Sequence, residues 1–220
     1  MKPEKTRAVL FDLDGTLADT APDLGYALNE QRRLHGLAPL SLEEIRPQAS
    51  HGARGLLQLG FNLTPQDDAF ATMRDEYLRL YETHICLHTR LFPGISELLE
   101  SLENMGIHWG IVTNKPARFT LPLMTQLGLA QRASCIISGD TTAYSKPHPE
   151  PMFAAAREVG ATPASCLYLG DAERDVEAAV AAGMTALIAN YGYLGEDDQP
   201  EKWGAHGRID TPQDILTFLA

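Results

Sequence analysis

Short apolar runs recur along the chain, and each stops at a polar residue. Ala8 to Phe11, Trp109 to Val112, Cys135 to Ile137 and Leu167 to Leu169 share this design, with helix-like sequence after each. Unbroken apolar runs of that length suit strands covered on both faces, because a strand with one wet face would alternate. Thr185 to Ala189 supplies a fifth run and Arg208-Ile209 a weaker sixth. Between them, Ser96 to Asn104, Pro149 to Val159 and Val176 to Ala182 carry helix signals, and Gly106, Gly160 and Gly183 follow them where a helix needs a left-handed residue to stop. Strand and helix in alternation predict an α/β fold, a Rossmann-like, doubly wound parallel sheet.

One interval breaks the rhythm. A βαβ unit takes about 30 residues, yet the first apolar run ends before Asp12 and the second begins at Trp109. Within this stretch Ser41 and Glu44 form a candidate capping box, and Phe70, Met73, Tyr77, Leu80, Tyr81 and His84 recur at three- and four-residue spacing without any alternating pattern. The aromatic members of that stripe read as core of a helical module. Residues 18–86 are therefore expected to form an inserted all-helical domain, with residues 1–17 and 87–220 forming the Rossmann-like catalytic core. Pro93-Gly94 marks the return to that core.

Composition narrows the range of functions. With 44% hydrophobic and 21% charged residues, the chain has enough apolar material for a packed core. Asp+Glu 29 against Lys+Arg 18 leaves a net charge of −11, which disfavours a nucleic-acid partner, so any phosphate must be held by local groups. Cys86, Cys135 and Cys166 are odd in number and far apart, which points to reduced thiols rather than disulfides or zinc. The polar start, Met1 to Arg7, precedes an apolar run too short for a signal peptide, and no run approaches the roughly 20 residues of a membrane span. A soluble cytoplasmic protein with no membrane partner is expected. The composition leaves open whether it is a monomer or a homodimer.

The strand ends carry the chemistry. Phe11-Asp12-Leu13-Asp14-Gly15-Thr16 closes the first strand, and a period of two points Asp12 and Asp14 to the same side. Taken alone, Asp14-Gly15 is only a turn. Ligands of open parallel sheets, however, bind beyond the carboxyl ends of the strands, where this pair would suit Mg²⁺. Thr113-Asn114 follows the second strand, Ser145-Lys146-Pro147 the third, and Gly170-Asp171 with Asp175 the fourth. Each has a structural explanation: Thr113 or Asp171 as a helix cap, Lys146 as a surface lysine, Asp175 as a first-turn acid. Those explanations do not account for all four ends carrying the groups that phosphoryl transfer requires.

With these motifs the chain resembles the haloacid dehalogenase superfamily of aspartate-nucleophile phosphatases over nearly its whole length. Asp12-Leu13-Asp14-Gly15-Thr16 is similar to the first signature, Thr113 to the second, Lys146 in Ser-Lys-Pro-His-Pro to the third, and Gly170-Asp171 through Asp175 to the fourth. The helical insertion resembles the family's alpha-helical cap. The resemblance implies a phosphomonoester hydrolase with Asp12 as nucleophile and Asp14 as general acid and base. Thr113, Lys146 and main-chain N–H groups near Gly15 and Thr16 would hold the transferring oxygens, with Asn114 beside them. Mg²⁺ would take Asp12, the Asp14 carbonyl and Asp171, with Asp175 reaching it through water or fixing Lys146. Asp14 argues against carbon–halogen substrates, since displacing halide needs no proton donor.

Within the superfamily the chain is similar to the phosphoglycolate phosphatase-like group. Gly52-Ala53-Arg54, Val112-Thr113-Asn114-Lys115-Pro116 and Tyr191-Gly192-Tyr193 narrow the likeness, together with Asp198-Gln199-Pro200 and Trp203-Gly204-Ala205. It implies a small phosphorylated metabolite as substrate: first the 6-phosphate of N-acetylmuramic acid, from cell-wall recycling, and second 2-phosphoglycolate. Arg54, in Ser50-His51-Gly52-Ala53-Arg54-Gly55, is the candidate contact for an anionic substrate group. Two alternatives remain at this level, a phosphomutase using His35 or His51 and a non-catalytic phospho-acceptor module. Tyr191 and Tyr193 carry no assigned role, and simple packing beside the last strands is one account of them.

Overall fold

The apolar runs all become strands of one parallel sheet. The computed structural model describes residues 5–219, and the polar Met1 to Glu4 and Ala220 lie outside the described residues. In chain order the elements are β1 (Ala8–Phe11), β2 (Ala18–Asp19), α1 (Ala21–Leu34), α2 (Leu42–Ala49), α3 (Gly52–Phe61), α4 (Phe70–Thr83), β3 (Arg90–Leu91) and α5 (Ile95–Asn104). They continue as β4 (His108–Val112), α6 (Ala117–Gln126), β5 (Ile136–Ile137), α7 (Glu150–Glu158), β6 (Cys166–Gly170), α8 (Glu173–Ala182), β7 (Thr185–Ala189) and β8 (Gly207–Ile209). The sheet order is β5-β4-β1-β6-β7-β8, parallel throughout. Phe11 stands opposite Ile111 on one side and Leu169 on the other, so β1, β4 and β6 end together and deliver Asp12, Thr113 and Asp171 to one edge.

Alternation along β1 divides the core. Val9 and Phe11 face a cluster that runs through Leu13, Leu17 and Leu24 into the helices after β2, whereas Ala8 and Leu10 face Met152 of α7 and Val176 of α8. A fully buried leucine contributes roughly 2 kcal/mol relative to an exposed one. The shared first cluster therefore holds the inserted helices against the sheet as well as against one another. Among the described residues no helix is long and apolar enough to cross a membrane.

Helices α1 to α4 occupy the anomalous interval, with α1 packed on α2, α3 and α4. The Ser41 capping box forms: Glu44 N–H donates to Ser41 Oγ at 3.2 Å, and Ser41 N–H donates to Glu44 Oε2 at 2.8 Å. Tyr77 and Tyr81 of α4 are buried, and Tyr77 donates to the Leu24 carbonyl at 3.3 Å. The chain leaves the core through β2 and returns through β3, which pair antiparallel with Ala18 opposite Leu91 and Asp19 opposite Arg90. Asp23 of α1 secures this return by accepting Thr89 N–H at 2.8 Å and the Thr89 hydroxyl at 2.7 Å.

Candidate active site

Asp12 leaves β1 almost fully enclosed. Its Oδ1 accepts the Leu13 N–H at 2.8 Å and pairs with Lys146 Nζ at 3.0 Å. Burial pushes the Asp12 carboxyl above its ordinary range, with the Lys146 ammonium acting against that shift. Lys146 is far from a surface lysine, being 3% exposed. Its ammonium donates to Asp175 Oδ1 at 2.6 Å, the Val112 carbonyl at 2.9 Å and the Tyr168 hydroxyl at 2.8 Å.

Two predicted phosphate contacts lie differently. Asn114 has its amide in a reciprocal pair with the main chain of Lys146, donating to its carbonyl at 2.8 Å and accepting its N–H at 2.9 Å. It thus fixes Lys146, with the amide turned to that backbone. Gly15 is the second: its N–H donates to the Ala18 carbonyl at 3.1 Å to close the turn, and so is not turned to a ligand. What Gly15 supplies is room, because φ is +81° and an added Cβ would strike the Asp171 carboxylate. Thr16, whose main-chain N–H is the expected contact, uses its side chain to donate to Asp171 Oδ1 at 3.0 Å. Thr113 is buried, accepts the Lys115 N–H at 3.2 Å and lines the cavity described below.

Asp171 also accepts the Ser50 hydroxyl at 2.7 Å and the Tyr193 N–H at 3.0 Å, both on Oδ2. Burial, with Asp12 and Asp175 close by, pushes its carboxyl up to about 7. Asp175 accepts the Ala172 N–H at 3.0 Å, so it caps the start of α8 while also holding Lys146. One oxygen from each of Asp12, Asp171 and Asp175 falls within 4.8 Å of the others. Three enclosed carboxylates, only two of them paired with the Lys146 ammonium, fit a hard divalent cation with oxygen ligands, which would offset the burial and mutual repulsion that raise Asp12 and Asp171.

Asp14 has partners of its own. Its Oδ1 accepts the Thr20 hydroxyl at 2.5 Å and Lys115 Nζ at 2.8 Å, and the Lys115 ammonium sits 4.7 Å from the centre of the Tyr81 ring. Asp12 and Asp14 open into a cavity of about 730 Å³ that His51 and Arg54 also line. Arg54 lies in the first turn of α3, exposed towards this space. Arg74, Lys115 and Arg174 also line it, so basic side chains outnumber the acids Asp12 and Asp14 around this space in a chain of net charge −11. Tyr77 and Tyr81 serve both as helical core and as cavity wall. His35 pairs with Glu76 at 2.8 Å, and it is not among the cavity-lining residues.

Sequence reasoning missed Lys115, Tyr168, Arg174 and Ser50 as site residues. Arg174 donates to the Ser50 carbonyl at 2.5 Å, bridging α8 and the turn before α3. The available signal was positional: Lys115 follows Thr113 by two residues, and Arg174 precedes Asp175 by one.

The haloacid dehalogenase-like hydrolase family matches residues 9–189. The chain is 39% identical over 219 residues to an N-acetylmuramic acid 6-phosphate phosphatase of Pseudomonas aeruginosa, covering 100% of this chain and 97% of the relative. It is 42% identical over 211 residues to a phosphoglycolate phosphatase of Xanthomonas campestris pv. campestris, covering 95% of this chain and 94% of the relative. The crystal structure of a predicted phosphoglycolate phosphatase from Haemophilus somnus superposes with a TM-score of 0.86 at 27% identity, over 99% of both chains. The chain belongs to the haloacid dehalogenase-like hydrolases and is a phosphatase of that family.

Proposed function

We propose that this phosphatase is a Mg²⁺-dependent, cytoplasmic phosphomonoesterase that hydrolyses the 6-phosphate of N-acetylmuramic acid, with residues 18–86 acting as the cap that selects it. The observation that carries this reading is the single cavity into which Asp12, Asp14 and Arg54 all open. Asp12 attacks phosphorus, forming an aspartyl phosphate as the bond to the sugar oxygen breaks. Asp14 gives that oxygen a proton and later takes one from the water that cleaves the aspartyl phosphate. Thr20 and Lys115 both hold Oδ1 of Asp14, which leaves Oδ2 to carry the proton. Lys146 orients Asp12, Thr113 contacts the phosphate, and Asn114 fixes Lys146.

Asp12 and Asp171, with the Asp14 carbonyl, would hold Mg²⁺, while Asp175 keeps Lys146 in place. The ion would supply positive charge against the repulsion between a dianionic phosphate and the aspartates. Chelation should therefore silence the enzyme and Mg²⁺ restore it. Asp171→Asn should raise the Mg²⁺ needed for half-maximal activity, and weaken Mg²⁺ binding in a calorimetric titration, more than Thr113→Ala does. Full activity in excess chelator would refute the metal assignment.

Substrate choice follows from the cavity. N-acetylmuramic acid brings a ring, an acetamido group and a lactyl carboxylate, which suits a space of about 730 Å³ with the Arg54 guanidinium in its lining. The identity to phosphoglycolate phosphatases favours 2-phosphoglycolate as the second reading. If Arg54 pairs with the lactyl carboxylate, Arg54→Ala should lower kcat/KM for N-acetylmuramic acid 6-phosphate by about 2 kcal/mol or more. N-acetylglucosamine 6-phosphate, which lacks that group, should be little affected. A wild-type preference for 2-phosphoglycolate would overturn the substrate assignment, and equal losses on all three esters would place Arg54 on the common phosphate.

A further inference from the structure

We infer that Tyr193, in the loop after β7, is a positioning residue that fixes the cap over the nucleophile and so sets substrate selectivity. The inference rests on reading residues 18–86 as the cap. Tyr193 is 2% exposed and reaches both parts of the molecule. Its hydroxyl accepts the Ala21 N–H at 2.8 Å and donates to Asp19 Oδ1 at 2.8 Å. Because a main-chain N–H can only donate, the hydroxyl proton is directed at Asp19. Both partners lie where the chain passes from the core into α1. Asp19 in turn receives Arg46 of α2 through both terminal guanidinium nitrogens, at 2.8 and 3.0 Å, and that guanidinium lies 5.5 Å from the centre of the Tyr193 ring.

The other end of the same residue meets the reacting edge, since the Tyr193 N–H donates to Asp171 Oδ2. Gly192 allows this approach, because an added Cβ would strike the Asp171 side chain and the Gly15 carbonyl. Asp171 Oδ2 also accepts Ser50, in the turn that follows α2. Helix α2 is thus tied at Arg46 through Asp19 and Tyr193, and beyond its end at Ser50 through Asp171. Two separated ties fix an orientation as well as a distance, and α2 leads directly into the turn that carries His51 and Arg54.

Tyr193→Phe keeps the ring and the N–H but removes the hydroxyl from the part-buried Asp19 carboxylate and a hinge amide. We expect kcat/KM for N-acetylmuramic acid 6-phosphate to fall about tenfold or more. The loss on p-nitrophenyl phosphate, which lacks the groups the cap would read, should be several-fold smaller. Amide exchange at Ala21 should accelerate, because its acceptor is gone. Asp19→Asn, a partly exposed position, should shift the ratio of the two substrates in the same direction, and the double variant should lose little beyond the larger single loss. Equal losses on both esters, additive losses in the double variant, or unchanged exchange at Ala21 would each overturn the inference. Wild-type protein that turns over neither ester would instead overturn the phosphatase substrate reading, with exchange at Ala21 still reporting on the tie.

Discussion

Asp12→Asn is expected to abolish turnover of every phosphate ester while leaving the fold as stable as wild type or more so. The loss should be roughly four orders of magnitude or greater, because an amide is a very poor nucleophile and removing one member of a concerted catalytic set removes most of its effect. Stability should follow a separate logic. Burial holds the Asp12 carboxyl above its ordinary range, which means its ionised form is disfavoured in the folded protein. Asp12, Asp171 and Asp175 crowd together, with Lys146 bonded to two of them and Arg174 nearby. Replacing one carboxylate by a neutral group of the same shape brings that cluster closer to balance. Steady-state kinetics with p-nitrophenyl phosphate and N-acetylmuramic acid 6-phosphate, beside thermal unfolding of the metal-free protein, separate the two effects. Substantial turnover by Asp12→Asn would sink the nucleophile assignment, and a large drop in Tm would show that Asp12 is chiefly a structural partner of Lys146.

The sheet and its chemical edge were legible because they depend on local pattern. Four apolar runs ending in Asp12, Thr113, the Lys146 loop and Asp171 need only a common parallel register to meet, and the register of β1 with β4 and β6 provides it. What the sequence hid is long-range. Tyr193 meets Asp19 across 174 positions and Ser50 meets Asp171 across 121, separations over which no periodicity carries information. Strands β2 and β3 are two residues each, too short to display an alternation. In the sequence Lys115 is only a member of Val112-Thr113-Asn114-Lys115-Pro116, and only the fold brings its ammonium to Asp14 and the Tyr81 ring. Asn114 shows the converse. Its position beside Thr113 suggested a phosphate contact, whereas the long excursion between β5 and α7 returns Lys146 to within reach of its amide.

Lys146→Met should produce the largest combined loss of activity and stability of any single change at this edge. The ammonium is enclosed, and Asp12, Asp175, the Val112 carbonyl and the Tyr168 hydroxyl converge on it. Removing one partner from a buried ion pair leaves uncompensated charge and typically costs about 3–5 kcal/mol, more than the pair itself contributes relative to an apolar replacement. Turnover should fall with it, since Asp12 loses the contact that orients its carboxylate. Lys146→Arg keeps the charge, but a planar guanidinium spreads its donors over a wide fork and cannot bring them to bear on groups gathered around one point. It should therefore retain more stability than Lys146→Met while still losing about a hundredfold or more in kcat. The double variant Lys146→Met with Asp175→Asn distinguishes the two roles, because neutralising Asp175 removes half of the stranded charge. Urea unfolding should then show part of the stability returning, with turnover remaining absent. If the double variant recovered turnover, Lys146 would act only by neutralising Asp175. An unfolding midpoint for Lys146→Met equal to wild type would mean that the buried network does not support the fold.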